Sequence, residues 1–259
     1  MARKLTIILR TCGRVFAQHG NRYIKKSKPE IINTCVSSLV ASINGVVGHD
    51  IELFVLDDHS DASCVADIKK ILAHCKFPNT FIESDVTGNG PTMGRVYELV
   101  EQRATDLWYH VEDDYLHFPA AIQDMIDSVD QFESNTDRMV AINPHDDIWR
   151  YIHELYESYI LLGPKRHYRT VKHTTYTCLA SKQIYDKYRQ HFQDVVTLTT
   201  QRADWVENRS INLVWTKPDV MLFSPIPSLA LHLMDESGKD PYIDFAAFWN
   251  SIPELWKDA

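Results

Sequence analysis

Three short stretches of this 259-residue chain carry side chains able to do chemistry. The first is His110-Val111-Glu112-Asp113-Asp114-Tyr115, three acids in a row directly after an apolar run. In extended chain, residues i and i+2 project to the same side, so Glu112 and Asp114 can converge on one point. Two hard carboxylate oxygens there suit Mg²⁺ or Mn²⁺, with phosphates and water filling the remaining positions. Like charges this close are costly unless a cation neutralises them. A solvated acidic turn is the other reading. The second stretch is Asp57-Asp58-His59-Ser60-Asp61, also behind an apolar run. Its carboxylates suit the N–H of a base or the hydroxyls of a ribose, and a helix-capping turn would look the same. In the third, Ser228-Leu229-Ala230-Leu231-His232-Leu233-Met234, strand alternation puts Ser228, Ala230 and His232 on one face. A lone strand histidine is most often a hydrogen-bonded structural residue, so His232 gains meaning only beside the acids.

The elements that must position these groups alternate in type. Strands are expected over residues 5–10, 51–56, 80–83, 107–111 and 139–142 from short β-branched apolar runs. Between them, helical spacing recurs in Ile31, Ile32, Cys35, Val36, Leu39, Val40 and Ile43 behind Pro29, and in Val65, Ile68, Leu72 and Cys75 behind a cap at Asp61 or Ser63. Gly88-Asn89-Gly90-Pro91 reads as a loop before a helix over 92–101, and Pro119 opens a helix with Ile122, Met125, Ile126 and Val129 inward. Strands joined by crossover helices mean a mainly parallel sheet covered on both faces. Ligands of such sheets sit at the carboxyl ends of the strands, which is where the acidic turns fall. Further on, strands are expected over 176–180, 220–223 and 228–234, and helices over 182–192 and 205–215. Residues 160–175 read as a basic loop carrying Lys165, Arg166, Arg169 and Lys172, and the aromatic segment 241–256 packs back on the body.

Composition bounds the rest. With 44% hydrophobic and 24% charged residues the chain has the make-up of an ordinary globular protein, which excludes disorder and collagen-like repeats. No apolar run approaches the roughly 20 residues needed to cross a bilayer. The five scattered cysteines include no Cys-x-x-Cys, so reduced thiols and a cytoplasmic location are expected. The net charge of −8 argues against nucleic-acid binding by the whole surface. The basic stretches over 14–28 (Arg14, Arg22, Lys25, Lys26, Lys28) and 165–173 keep DNA open as a partner.

Together these pieces resemble the GT-A glycosyltransferases, particularly their family 2-like branch. Asp57-Asp58-His59-Ser60 looks like that family's nucleotide-binding Asp-Asp-x-Ser turn. Glu112-Asp113-Asp114 looks like its Asp-x-Asp metal motif, with Glu in the first place. Pro227 to His232 resembles the strand ending in a metal-binding histidine. Arg202-Ala203-Asp204-Trp205-Val206-Glu207 sits where the family has an acidic base at a helix start, although Ala203 stands where the usual pair has an acid. The resemblance covers roughly residues 5–232. It implies an α/β, Rossmann-like GT-A fold: a mixed, mainly parallel central sheet flanked by helices in a single domain. Residues 1–116 would form the nucleotide-sugar half, 117–234 the acceptor and catalytic half, and 235–259 the tail. It further implies a nucleotide-diphosphate sugar donor, contacted by Thr11, Arg14, Asp57 and Asp58, and Mn²⁺ or Mg²⁺ held by Glu112, Asp114 and His232; Asp113, and Arg169 on a basic loop that folds over the diphosphate or meets an anionic acceptor, are further donor contacts expected from the residues themselves. Asp204 would be the base of an inverting transfer, with Glu207 second. The acceptor would be a glycan or lipid-linked sugar, with protein or DNA as alternatives. A sugar-nucleotide pyrophosphorylase is the competing enzyme class, and a non-catalytic nucleotide-sugar or carbohydrate-binding protein the competing non-enzyme.

Overall fold

A computed structural model describes residues 2–14, 24–153, 156–233 and 238–255, so Arg22, Met234 and the end of the tail lie outside the described residues. The first half is a repeating strand–helix unit. Strands β1 (Lys4–Thr11), β2 (Asp50–Asp57), β3 (Asn79–Glu83) and β4 (Leu107–Glu112) lie in the order β3-β2-β1-β4, all parallel. Helices α1 (Lys28–Asn44), α2 (Ala62–Leu72) and α3 (Asn89–Arg103) make the crossovers. Leu5, Ile7 and Leu9 pack into the core that contains α1 and α2, while Ile8 points to the opposite core with α3. That two-sided burial is why the strand reads as a continuous apolar run and not an alternating one. Ser27 and Glu30 form a reciprocal capping box at the start of α1, with Pro29 in its first turn.

After β4 the chain continues through β5 (Tyr115–His117), α4 (Ala121–Thr136), β6 (Met139–Ile142), α5 (Trp149–Ile152), β7 (Ile160–Leu162), β8 (His167–Val171), β9 (Cys178–Ser181), α6 (Lys182–Thr200), α7 (Val206–Arg209), β10 (Val220–Ile226), β11 (Ala230–His232) and α8 (Phe245–Leu255). The main sheet runs β3-β2-β1-β4-β9-β6-β10-β8-β7, with β8 and β9 antiparallel to their neighbours. The sheet is thus mixed and mainly parallel, as expected. A separate antiparallel pair, β5 with β11, sets His232 opposite Tyr115. In α8, Phe245 and Ile252 are buried against Ile31 and Cys35 of α1 and Leu231 of β11.

Four sequence expectations change. Residues 89–91 open α3 and are not a loop: Gly88 takes a φ of 99° before the helix, and Pro91 is tolerated in a first turn whose N–H groups have no partner within the helix. The expected helix 205–215 is only α7 and a 3-10 turn at Ile211–Leu213. Trp205 is left-handed with a φ of 57°, and Ser210 leaves the helical region. The basic loop 160–175 contains β7 and β8. Finally, β11 is three residues long, shorter than the strand expected over 228–234.

Gly90 marks a close approach of α3 to α6. A Cβ there would lie 2.6 Å from the Thr200 backbone nitrogen and 2.9 Å from its Cα. Backbone cannot yield as a side chain does, so Gly90→Ala should destabilise the fold by about 2–3 kcal/mol. Urea unfolding checks this, and a change within experimental error would show that the two helices are not held so tightly.

Candidate functional site at the carboxyl edge of the sheet

The ends of β1, β2, β3 and β4 meet at one edge of the sheet, and a web of polar contacts ties their turns together. Asp57, 1% exposed, accepts from the Thr11 hydroxyl (2.7 Å), the Ser60 amide (2.8 Å) and the Ser60 hydroxyl (2.6 Å). Ser60 Oγ in turn accepts from the Gly13 amide at 2.6 Å, and the Arg14 Nε donates to the His59 carbonyl at 2.9 Å. Asp58 accepts from the Gly88 amide at 2.8 Å and meets His59 Nδ1 at 3.0 Å. Asp57 therefore builds the turn from within, and Asp58 fastens it to the loop before α3.

Two of the three acids at the end of β4 face a cation of the chain, and the third faces a histidine. Glu112 lies 2.7 Å from the guanidinium of Arg10, its register partner on β1. Asp113 pairs with Lys28 at the start of α1 and accepts from the Cys12 amide at 2.8 Å. Asp114 lies 3.5 Å from His232 Nε2, whose ring stacks on Tyr115 with centroids 4.5 Å apart. Burial pushes the Glu112 carboxyl up to about 7; Arg10 opposes the shift, and Asp114 and Asp113 add to it.

The three expected metal ligands are not brought together. Among the described residues no group of three potential ligands converges. Asp114 and His232 face each other, an oxygen and a nitrogen donor of the kind Mn²⁺ accepts. Glu112 does not join them, because Arg10 holds its carboxylate. Arg10 is itself fixed by the Asn89 carbonyl (3.1 Å) and the Thr92 hydroxyl (3.3 Å).

The other expected site residues separate. Thr11, Arg14, Asp57, Asp58 and Asp113 gather at the acidic edge. Arg169 sits on β8, where it pairs with buried Asp146 at 2.5 Å and lies 4.1 Å over the Tyr151 ring. Asp204 is exposed on the turn before α7, and the first turn of that helix has no side-chain cap. Glu207 is half-buried, and its carboxylate approaches the Tyr176 phenol. That phenol is raised above its ordinary range, by burial first and by Glu207 second; Glu112 also acts on it. The segment carrying Tyr176 lines the acidic edge. Thr177 Oγ accepts from the Glu112 amide at 3.1 Å, and Thr175 Oγ meets the Tyr115 hydroxyl at 2.9 Å.

Sequence reasoning missed Arg10, Lys28 as a partner of Asp113, and Tyr176. A signal existed for Arg10, a charged residue closing a strand apolar on both faces. It also missed Asp146, which follows β6 as the acidic turns follow β2 and β4.

The structure changes what Asp57 is expected to do. Asp57→Ala takes the acceptor from one buried and two part-buried donors, so it should cost about 2–4 kcal/mol of stability. For a chain of this size that lowers Tm by roughly 5–12 °C. Unchanged melting with weakened ligand binding would instead make Asp57 a direct ligand contact.

The geometry can be set beside known structures. No family model matches the sequence, and no curated protein does. Among solved structures, the 1–349 fragment of S. aureus TarS, a GT-A-like glycosyltransferase, superimposes with a TM-score of 0.50 at 11% identity, over 85% of this chain and 60% of that one. The fold is of the GT-A type. The same fragment in complex with UDP-GlcNAc gives a TM-score of 0.48 at 10% identity, over 85% of this chain and 58% of that one. An apo UDP-glucose pyrophosphorylase gives 0.48 at 8% identity, over 100% of this chain and 99% of that one. This chain spans 36% of a longer TarS chain, so only its fold is shared ground. Among the described residues no helix is long and apolar enough to cross a membrane.

Proposed function

We propose that this protein transfers a sugar from a nucleoside-diphosphate sugar to an acceptor hydroxyl. The observation that carries the reading is the meeting of the four parallel-strand ends with β11. It sets an acidic triad and His232 beside the Asp57-Asp58 turn at the edge where open parallel sheets bind ligands. Asp58, Arg14 and the loop after β1 would frame the nucleotide. Asp113 would act through Lys28 and the Cys12 amide. A divalent ion would be held by Asp114 and His232, and it would supply Lewis-acid stabilisation of the departing diphosphate.

Attack by a hydroxyl needs a base on the far side of the sugar. Asp204 was the first expectation. Its full exposure favours Glu207, which is half-buried and faces the acidic edge through Tyr176. A carboxylate base opposite the leaving group gives inversion. A sugar ring is the favoured acceptor over DNA, since a chain of net charge −8 repels a polyanion.

The pyrophosphorylase reading needs free backbone N–H groups after β1 to cradle phosphates. Here the Cys12 and Gly13 amides are already bound to Asp113 and Ser60, which favours transfer. TarS has been crystallised with UDP and with UDP-GlcNAc, so uridine nucleotides head the donors to test. A thermal-shift screen of nucleoside diphosphates and their sugars, with and without Mn²⁺, tests the proposal. A ligand at about a hundred times its Kd should stabilise the fold by about 2.7 kcal/mol. If no nucleotide raises Tm, the reading fails.

A further inference from the structure

At the opposite edge of the sheet, where β6 and β10 begin, lies a cavity of about 320 Å³. It is remote from the acidic turns, and its chemistry is the reverse of theirs. Three cations line it: Arg138 before β6, Lys172 after β8 and Lys217 before β10. Against them stands one carboxylate, Glu157. Among the described residues none of the three cations is in an ion pair. In a chain of net charge −8, such a group is an anion site by composition.

The walls are aromatic and fixed. Tyr156, Tyr159 and Trp215 line the cavity. The Tyr159 amide donates to Thr170 Oγ at 2.9 Å, the Thr170 amide returns a bond to the Tyr159 carbonyl at 2.9 Å, and the Lys172 amide donates to the Tyr156 hydroxyl at 3.2 Å. Lys172 Nζ lies 5.0 Å over the Tyr156 ring. Tyr159 is nonetheless 66% exposed, a large ring held in place with one face in water. Trp215 is 4% exposed, and its indole N–H has no acceptor among the described residues.

Aromatic faces beside unpaired cations select a ligand with both a ring and an anionic group. The volume lies at the lower end of the usual range for small-molecule pockets, about 300–1,000 Å³. We propose that this cavity binds a ring bearing a single phosphate, such as a nucleoside monophosphate or a sugar phosphate, as a second site apart from the acidic edge. The ring stacks on Tyr159 or Tyr156, and the phosphate sits among Arg138, Lys172 and Lys217.

The Trp215 indole N–H reports on the cavity directly. In a ¹⁵N NMR titration, its resonance, assigned with Trp215→Phe, is followed as AMP, adenosine or inorganic phosphate is added to the full chain. AMP should shift it saturably, inorganic phosphate more weakly, and adenosine little. Lys172→Glu, an exposed change that leaves Tm in place, should weaken AMP by about tenfold or more. Asp114→Ala, at the other edge, should leave AMP binding to the cavity unchanged. No shift at about 10 mM AMP, equal shifts from AMP and adenosine, or full binding in Lys172→Glu would each overturn the proposal, whatever happens at the acidic edge.

Discussion

Asp114→Ala should abolish transfer, by about a thousandfold or more, while the protein stays folded. Asp114 is the acid of the triad that faces His232, the other expected donor to the ion. Its carbonyl accepts from the Leu233 amide at 2.9 Å, and that bond survives truncation of the side chain. Tm should therefore fall by no more than about 3 °C. Asp113→Ala makes the control. It removes the ion pair with Lys28 and the acceptor of the Cys12 amide, so it should lose stability as well as activity. Wild-type turnover in Asp114→Ala would remove the triad from the chemistry.

Glu207→Gln should lower kcat by about a hundredfold to ten-thousandfold, the usual worth of a positioned base, with donor affinity unchanged. Gln keeps the shape and can still meet the Tyr176 hydroxyl, so packing is conserved. Asp204→Asn should leave kcat within about threefold of wild type, because its side chain stands in solvent. The opposite pattern, a dead Asp204→Asn beside an active Glu207→Gln, would restore the order of bases that the family resemblance suggests. A product that keeps the donor's anomeric configuration would reject both.

What could be read from the sequence follows from how far apart the causes lie. Strands β1, β2 and β4 were legible because burial on both faces writes continuous apolar runs, and α1 because Pro29 and the apolar spacing behind it announce it locally. The acidic turns were found because each directly follows such a run. The partners of the acids were not legible. Lys28 pairs with Asp113 across 85 residues and Arg10 with Glu112 across 102, and nothing in either local sequence records the match. The three-residue strand β5 is too short to show a period, yet its pairing with β11 is what carries His232 to Asp114. The chain around Trp205 misled because its apolar spacing is helical, while left-handed Trp205 and the break at Ser210 cut it to a single turn. Arg169 was read as a donor contact from the basic residues around it, and its pairing with buried Asp146 was not legible in that cluster.

The most direct test combines donor binding with product analysis in wild type and in Asp114→Ala. Each nucleoside-diphosphate sugar is titrated calorimetrically with Mn²⁺ present, and the products are separated by ion-exchange chromatography. The account predicts saturable binding of one donor, release of its nucleoside diphosphate, and loss of that release in Asp114→Ala. Formation of a nucleoside triphosphate when pyrophosphate is added, or donor turnover untouched by Asp114→Ala, would contradict it.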